Sequence, residues 1–196
     1  MPYAATADVK AFLKIPTGTT TDDTLIGGFV TRAQSIIERV TGKVYEASAD
    51  TTRHFDAVRD VDGRLLLFDN QWLAQITSVV NGDGVTIAST DYATEPRNTA
   101  PYYGIKLKTS GADAAWTFTD DPEDAIAITG RWAYTTAAPD YIVQATIRLA
   151  AWLYKQKDSA ADVDRPLLTG DGVTIMPQSL PRDVMQLIKD DIPVGR

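Results

Sequence analysis

Hydrophobic residues recur at three- and four-residue steps in the first part of the chain, the spacing of a helix that buries one face. A short helix is predicted first, with Thr6 as its N-cap and with Pro16 and Gly18 closing it. Its inward face is expected to comprise Val9, Phe12 and Leu13.

A longer helix is predicted after a Thr-rich connector. Thr21 is its expected N-cap, and Asp22 and Asp23 stand in the first turn, where the positive end of the helix dipole favours carboxylates. Gly42 supplies a left-handed C-terminal stop. The apolar positions predict a helix packed into a core, and they are Leu25, Ile26, Phe29, Val30, Ala33, Ile36, Ile37 and Val40.

Between residues 51 and 134 the period changes from helical to alternating, which predicts an inserted β region. The turn signal Asn-Gly-Asp-Gly at residues 81–84 predicts a hairpin. The expected strands are residues 64–68, 74–80, 85–88, 103–107, 116–118 and 126–134. Several short strands at this spacing favour an antiparallel sandwich or a small barrel.

Helical spacing returns after Pro139. The resulting helix should pack on the long N-terminal one, and its end carries Lys155 and Lys157 at the negative end of the dipole. Its apolar face is Ile142, Ala145, Leu149, Trp152 and Leu153. Residues 158–179 show little periodicity apart from a possible hairpin at 168–176, and Pro181 opens a last short helix.

These patterns together predict an α+β fold. Residues 1–50 and 135–157 form a helical body, which the short C-terminal helix joins, and residues 51–134 form the β insertion. Residues 158–196 form an extended arm that contains the short C-terminal helix.

The composition of the chain narrows the classes of function. Its 196 residues include no cysteine and one histidine, which removes disulfides and thiolate chemistry. The formal net charge of −7 argues against a sequence-independent DNA binder, since such proteins place Lys and Arg on phosphates. We expect neither a signal peptide nor a transmembrane helix, because no apolar run reaches about 18 residues.

Candidate catalytic groups are few. His54 is expected to point outward from a strand, without a partner motif. Asp60 and Asp62 only faintly match a calcium loop, and Asp62 with Gly63 is better explained as a tight turn. The Gly-Asp-Gly triplets at 82–84 and 170–172 lack the context of a phosphate loop. We predict no catalytic residue, no cofactor and no metal site.

One stretch of the β region is strongly acidic and contains no basic residue. Such a stretch can hold a cation or repel DNA, but runs of like charge usually form a solvated loop. Its members are Asp113, Asp120, Asp121, Glu123 and Asp124.

Two blocks of the sequence resemble a known family. Residues 3–13, 21–25 and 33–45 resemble the start of the head-tail connector (adaptor, head-completion) proteins of tailed bacteriophages. Gly130 and the two aromatic residues that follow at 132 and 134 are similar to the β-to-helix junction of the longer connectors, which commonly show Gly-x-Trp-Gly-Tyr. Ala133 replaces the usual second glycine.

The resemblance implies a structural virion protein, not an enzyme. Connectors form a ring, typically dodecameric, below the portal; it joins the DNA-filled head to the tail and passes the genome without binding it specifically. The implied partners are further copies of the chain, the portal protein and a tail or stopper protein, with no membrane. The implied location is the virion neck, reached from the host cytoplasm during assembly.

The hypothesis for binding to the portal or to a neighbouring subunit concerns residues 158–179 and the C-terminal residues 192–196. A weakly structured segment in a compact protein is often held by a partner. The candidate partner-binding residues are Arg165, Leu167, Leu168, Met176, Ile192, Val194 and Arg196.

Two other classes of function stay open at this stage. One is a tail-completion or stopper protein of the virion. The other is a β-sandwich module that binds carbohydrate on aromatic platforms, for which the candidates are Tyr102, Tyr103, Trp116 and Trp132.

Overall fold

The computed structural model describes residues 2–69, 71–112, 114–157, 167–168, 174–175 and 180–193. The chain divides into two compact units. Residues 43–138 form one, called the β unit here, and residues 2–42 with 139–196 form the other, called the helical unit. Within the described residues, helices in one unit and antiparallel sheets in the other make an α+β fold, which confirms the predicted fold class.

The helical unit is arranged around one helix, α3, which packs on α1, α2 and α4. The elements are α1 (Thr6–Leu13), α2 (Asp23–Thr41), α3 (Asp140–Gln156), α4 (Arg182–Ile188) and a 3-10 turn (Lys189–Asp191). The core that they share includes Val9, Ile26, Val30, Ala33, Ile37, Ile142, Ala145, Leu149, Val184 and Ile188. None of the helices in the described ranges is long and apolar enough to cross a membrane.

The ends of α1 differ from the prediction. Ala5, not Thr6, is the N-cap, and its N–H donates to the Asp8 carboxylate at 2.9 Å. Asp8, in the first turn of the helix, therefore supplies the acceptor for a backbone N–H at the N-terminus of α1, and no hydroxyl cap is needed. The helix ends before Pro16 is reached, because Lys14 already takes a left-handed conformation with φ of 60°.

The start of α2 is also one residue later than predicted. Asp22 is the N-cap in place of Thr21, and its carbonyl oxygen accepts the Ile26 N–H at 2.8 Å. The predicted stop at Gly42 is confirmed by its φ of 68°.

Two positions predicted to face the helical core point outward instead. Phe12 is 46% exposed and Leu25 is 42% exposed. The buried place beside Val9 on α1 belongs to Lys10, whose ammonium finds polar partners there.

The β unit contains two antiparallel sheets, ordered β1-β7-β4 and β2-β3-β6-β5. The strands are β1 (Thr51–Phe55), β2 (Val61–Asp62), β3 (Leu65–Leu67), β4 (Gln75–Val80), β5 (Tyr92–Glu95), β6 (Gly104–Leu107) and β7 (Ile126–Arg131). Side chains from both sheets form one core, which includes Phe55, Leu66, Phe68, Leu73, Val79, Ile105, Leu107, Ile126, Ile128 and Trp132.

Several predicted strands are shorter than the alternating pattern suggested. The turn at 81–84 forms, with Gly84 at φ of 84°, but the return strand is reduced to one bridge between Val80 and Thr86. Residues 116–118 contribute only one bridge, and the last strand ends at Arg131. Tyr103 and Phe118, which fall in the predicted strands 103–107 and 116–118, lie outside the regular strands and are exposed.

Gly130 lies in the central strand β7, where the neighbouring backbone comes very close. A Cβ atom at this position would stand 2.1 Å from the Gln75 carbonyl oxygen. The pairing of β4 with β7 also shifts register between Ile76 and Ser78, next to the same place. Only glycine therefore allows β4 to approach β7 at this point.

Replacing Gly130 with alanine is expected to lower the free energy of unfolding of the β unit by about 1–3 kcal/mol, the usual cost of overpacking. Urea denaturation followed by tryptophan fluorescence measures the change. Gly28→Ala is the control, because its Cβ meets nothing within 4 Å. This change in α2 should raise stability by about 1 kcal/mol. A Gly130→Ala protein as stable as the wild type would contradict the close approach.

Candidate assembly surfaces

The histidine and the acidic turn considered as catalytic candidates have structural surroundings. His54 is exposed, as predicted, and its Nδ1 lies 3.1 Å from the Asp124 carbonyl oxygen. Gly63, at φ of 62°, forms the turn between β2 and β3. Within the described ranges, no group of three or more His, Cys, Asp or Glu side chains could hold a metal ion.

The two tryptophans proposed as sugar platforms belong to the core of the β unit. Trp132 is 5% exposed, packs on Phe55 and Phe68 with ring centroids 5.7 and 5.1 Å away, and donates to the Thr51 carbonyl oxygen at 3.0 Å. Trp116 is also buried and donates to the Arg64 carbonyl oxygen at 3.0 Å. Neither indole offers a face to a carbohydrate.

Lys10 is a buried charge that fixes the connector between α1 and α2. Its side chain is only 5% exposed, and its ammonium lies 2.7 Å from an Asp23 carboxylate oxygen. It also donates to the carbonyl oxygens of Thr17 and Thr19, at 3.2 and 2.7 Å. All three donor positions of the ammonium are therefore used, which compensates for its removal from water.

A second polar cluster joins the start of α2 to the end of α3. One carboxylate oxygen of Asp22 accepts hydrogen bonds from the Tyr154 hydroxyl and, at 2.9 Å, from the Lys157 ammonium. The Tyr154 bond and then the Lys157 bond hold the pKa of Asp22 below its usual value. Asp22 in turn raises the pKa of Lys157. The Tyr154 ring also packs edge-on against Phe29, with centroids 6.4 Å apart.

The C-terminal helix α4 is docked on α3 by its apolar face and by two polar contacts. Arg148 donates to the Asp183 carboxylate at 2.7 Å, which lowers the pKa of Asp183. The Tyr141 hydroxyl donates to Asp191 at 2.7 Å, just beyond the end of α4. The described chain is thus held to the helical unit as far as Asp191.

Of the predicted partner-binding residues, Ile192 follows that contact and is half-buried. The backbone of Leu167 and Leu168 pairs antiparallel with Thr174–Ile175, so the pairing begins one residue before the span 168–176 predicted as a hairpin. The other four, Arg165, Met176, Val194 and Arg196, lie outside the described residues. Partner binding by all seven stays a prediction.

A cleft in the helical unit lies beside the exposed ring of Phe12. It measures about 140 Å³, and Trp152 and Pro181 line its apolar part. Arg148 and Lys155 stand at the same cleft. The sequence pattern missed this surface, because it assigned Phe12 and Trp152 to the core.

Several solved structures match the chain across nearly its whole length. One is the neck of an empty gene transfer agent (GTA) particle computed with C6 symmetry, with 16% identity, a TM-score of 0.55, and coverage of 97% of this chain and 90% of the other. The chain has the fold of a protein in a GTA neck. This likeness agrees with the connector resemblance found in the sequence.

Two further matches cover a similar share of both chains. The neck of a native GTA particle computed with C12 symmetry gives 17% identity and a TM-score of 0.55, covering 97% of this chain and 88% of the other. The virion of a native GTA particle gives 18% identity and a TM-score of 0.51, covering 97% and 90%. No family model matches the sequence, and no curated protein matches it significantly.

Replacing Asp22 with asparagine is expected to destabilise the helical unit at neutral pH. The folded-state pKa of Asp22 lies below the unfolded value, so its contribution is present above about pH 4 and is lost as pH falls through the folded pKa. The difference between variant and wild type should therefore shrink below about pH 4. Thermal melts across pH measure it, with Asp120→Asn as a solvent-exposed control. An equal difference at all pH values would contradict the assignment.

Proposed function

We propose that the protein is a structural component of a virion neck, where it forms a ring below the portal that connects the DNA-filled head to the tail. The observation that carries the proposal is the likeness to chains of GTA necks over 97% of the sequence. The resemblance of residues 3–45 and of the Gly-x-Trp-x-Tyr motif at 130–134 to connector proteins supports the same conclusion independently, because it rests on the amino-acid sequence and not on the structure.

The ring is proposed to contain copies of this chain, in dodecameric form. The matched necks were computed with C6 and C12 symmetry, both of which suit a ring. Identical subunits close a ring when one face of each copy meets a different face of the next. The helical unit supports such packing, because its helices are held together by buried apolar faces and by charged contacts at the C-terminal end and in the middle of α3.

The role is proposed to be mechanical and non-catalytic. The most chemically versatile side chain, His54, is exposed and bonds only to a backbone carbonyl among the described residues. The genome is proposed to pass through the ring without specific binding. A net charge of −7 per copy, repeated around a channel, weakens adhesion of phosphates and supports passage.

Mixing the purified protein with purified portal should give a second ring stacked on the portal in electron microscopy. Class averages should show the added ring at one face only, since a connector has one portal-facing side. Portal alone is the control. A chain that instead binds only to tail-side rings would indicate the tail-completion or stopper role, and a chain that stays monomeric with every neck component would contradict both.

The contact with the portal or with the next subunit is proposed to use the segment 158–179 and the residues after Asp191. Its support is positional: Tyr141 holds the chain at Asp191, so the residues beyond it start from a fixed point. Removing residues 192–196 should abolish portal binding and leave the melting temperature of the monomer nearly unchanged. Co-sedimentation with portal measures binding.

The matched control for this deletion replaces residues 192–196 with glycine and serine, which keeps the length of the chain. It should fail as the deletion does, because side chains are required. Undiminished portal binding by the deleted chain would refute the assignment of the tail.

A further inference from the structure

Four basic side chains surround a hollow on the outer side of strands β5 and β6, although the protein is acidic overall. Lys106 lies in β6 and Lys108 directly follows it, so the two exposed lysines are two residues apart on the same face. Arg64 is brought beside them, since its carbonyl oxygen accepts the Leu107 N–H at 2.9 Å. Arg97 follows β5. We call Arg64, Arg97, Lys106 and Lys108 the basic groove.

The basic groove is a concave surface. Two adjoining hollows of about 370 and 440 Å³ share Ala93, Arg97 and Lys108 in their walls. Ala93 faces Lys106 across the β5–β6 pair, so a small side chain leaves room between longer cationic ones. Hydroxyl groups of Ser89, Thr94, Thr109 and Ser110 complete the lining.

Two cations of the groove, Arg64 and Lys108, are positioned by neutral acceptors, so their charges stay uncompensated. Arg64 donates to the Leu107 carbonyl oxygen at 3.2 Å and to the Thr109 hydroxyl at 2.7 Å. Lys108 donates to the Thr90 carbonyl oxygen at 2.6 Å. Among the described residues, Glu95 is the only carboxylate within ion-pair distance of the four, 4.0 Å from Arg97. The groove therefore offers a site for an anionic ligand.

The same unit carries a surface of opposite charge at the edge of its other sheet. Asp120, Asp121, Glu123 and Asp124, called the acidic segment here, are all exposed. Within the part of the chain that the structure describes, none of their carboxylates is paired with a cation. Two backbone contacts hold the segment beside β1, since the Pro122 carbonyl oxygen accepts the Ala57 N–H at 2.9 Å and His54 contacts the Asp124 carbonyl.

The placement of the two surfaces suits contact between copies. The acidic segment lies next to β1, an edge strand of one sheet, and the basic groove lies at β5, an edge strand of the other. Among the described residues, no ion pair joins the basic groove to the acidic segment within one chain. Two different, complementary faces on one subunit are what a closed ring of identical copies requires.

We propose that the basic groove of one copy receives the acidic segment of a neighbouring copy. This inference rests on the proposed ring and names a contact within it. An acidic peptide of the same chain is favoured over DNA as the occupant, because the net charge of −7 repels a phosphate backbone while the acidic segment offers four carboxylates for four cations.

Charge reversal on each side tests the contact. Lys106→Glu with Lys108→Glu should weaken assembly on portal by more than about tenfold, because like charges would then face each other. Asp120→Lys with Asp121→Lys should have the same effect. A chain carrying all four changes should assemble again, since the two introduced lysines can then face the two introduced glutamates. Mass photometry and electron microscopy of portal mixtures measure assembly.

Controls separate this contact from general effects of charge. Arg59→Glu with Lys189→Glu changes the net charge as much as the groove variant does and should assemble normally. Circular dichroism of each variant confirms folding, which is expected because the changed residues are exposed. Wild-type assembly should weaken as salt is raised.

The outcomes distinguish this inference from the proposed function. Wild-type rings together with normal assembly of both reversal variants would overturn the contact and leave the ring intact. Failure of all four changes to restore assembly would also overturn it. Binding of wild type to short duplex DNA, lost in the groove variant while its rings persist, would assign the groove to DNA. A wild-type chain that never assembles would overturn the ring itself, and the contact with it.

Discussion

The packing of α3 against three other helices is the interaction on which the helical unit depends. Its buried positions include Ala145, Ala150 and Ala151, small side chains that let neighbouring helices come close. The other helices contact each other much less than they contact α3. Because α2 ends at residue 41 and α3 begins at residue 140, the unit forms only when distant parts of the chain meet. The two N-terminal helices are therefore not an independent module.

Charged contacts supplement the apolar packing of the helical unit. A stripe of aliphatic side chains tolerates small rotations of a helix, whereas a hydrogen bond from Lys157 to Asp22 holds only at one register. Arg148 with Asp183 fixes α4 in the same way. These pairs are partly exposed, so each contributes little to stability. Their main effect is to fix the positions of α2, α3 and α4 relative to one another.

The sequence predicted the elements with the strongest periodicity and missed features set by tertiary contacts. The helices α2 and α3, the strand β7 and the α+β class were recoverable because burial imposes a regular spacing on apolar residues. The burial of Lys10 was not recoverable, since a lysine in a helical pattern is normally exposed. Its carbonyl partners are supplied only by the folded segment between α1 and α2. Lys157 was attributed to the helix dipole, and its actual partner is 135 residues away. The candidate partner-binding residues lie in or after a stretch with little periodicity, so partner binding by them stays a prediction.

The amino-acid composition also gives no information about how charged residues are arranged on the folded protein. The net charge of −7 over 196 residues argues against a general DNA binder, but it says nothing about where the 19 basic residues stand. Folding brings Arg64, from the start of one strand, beside Lys106 and Lys108, from the end of another. Recognition depends on such local fields, since screening confines an exposed charge to roughly 8–10 Å at physiological salt. A protein with a negative net charge can therefore still carry a basic surface that suits an acidic ligand.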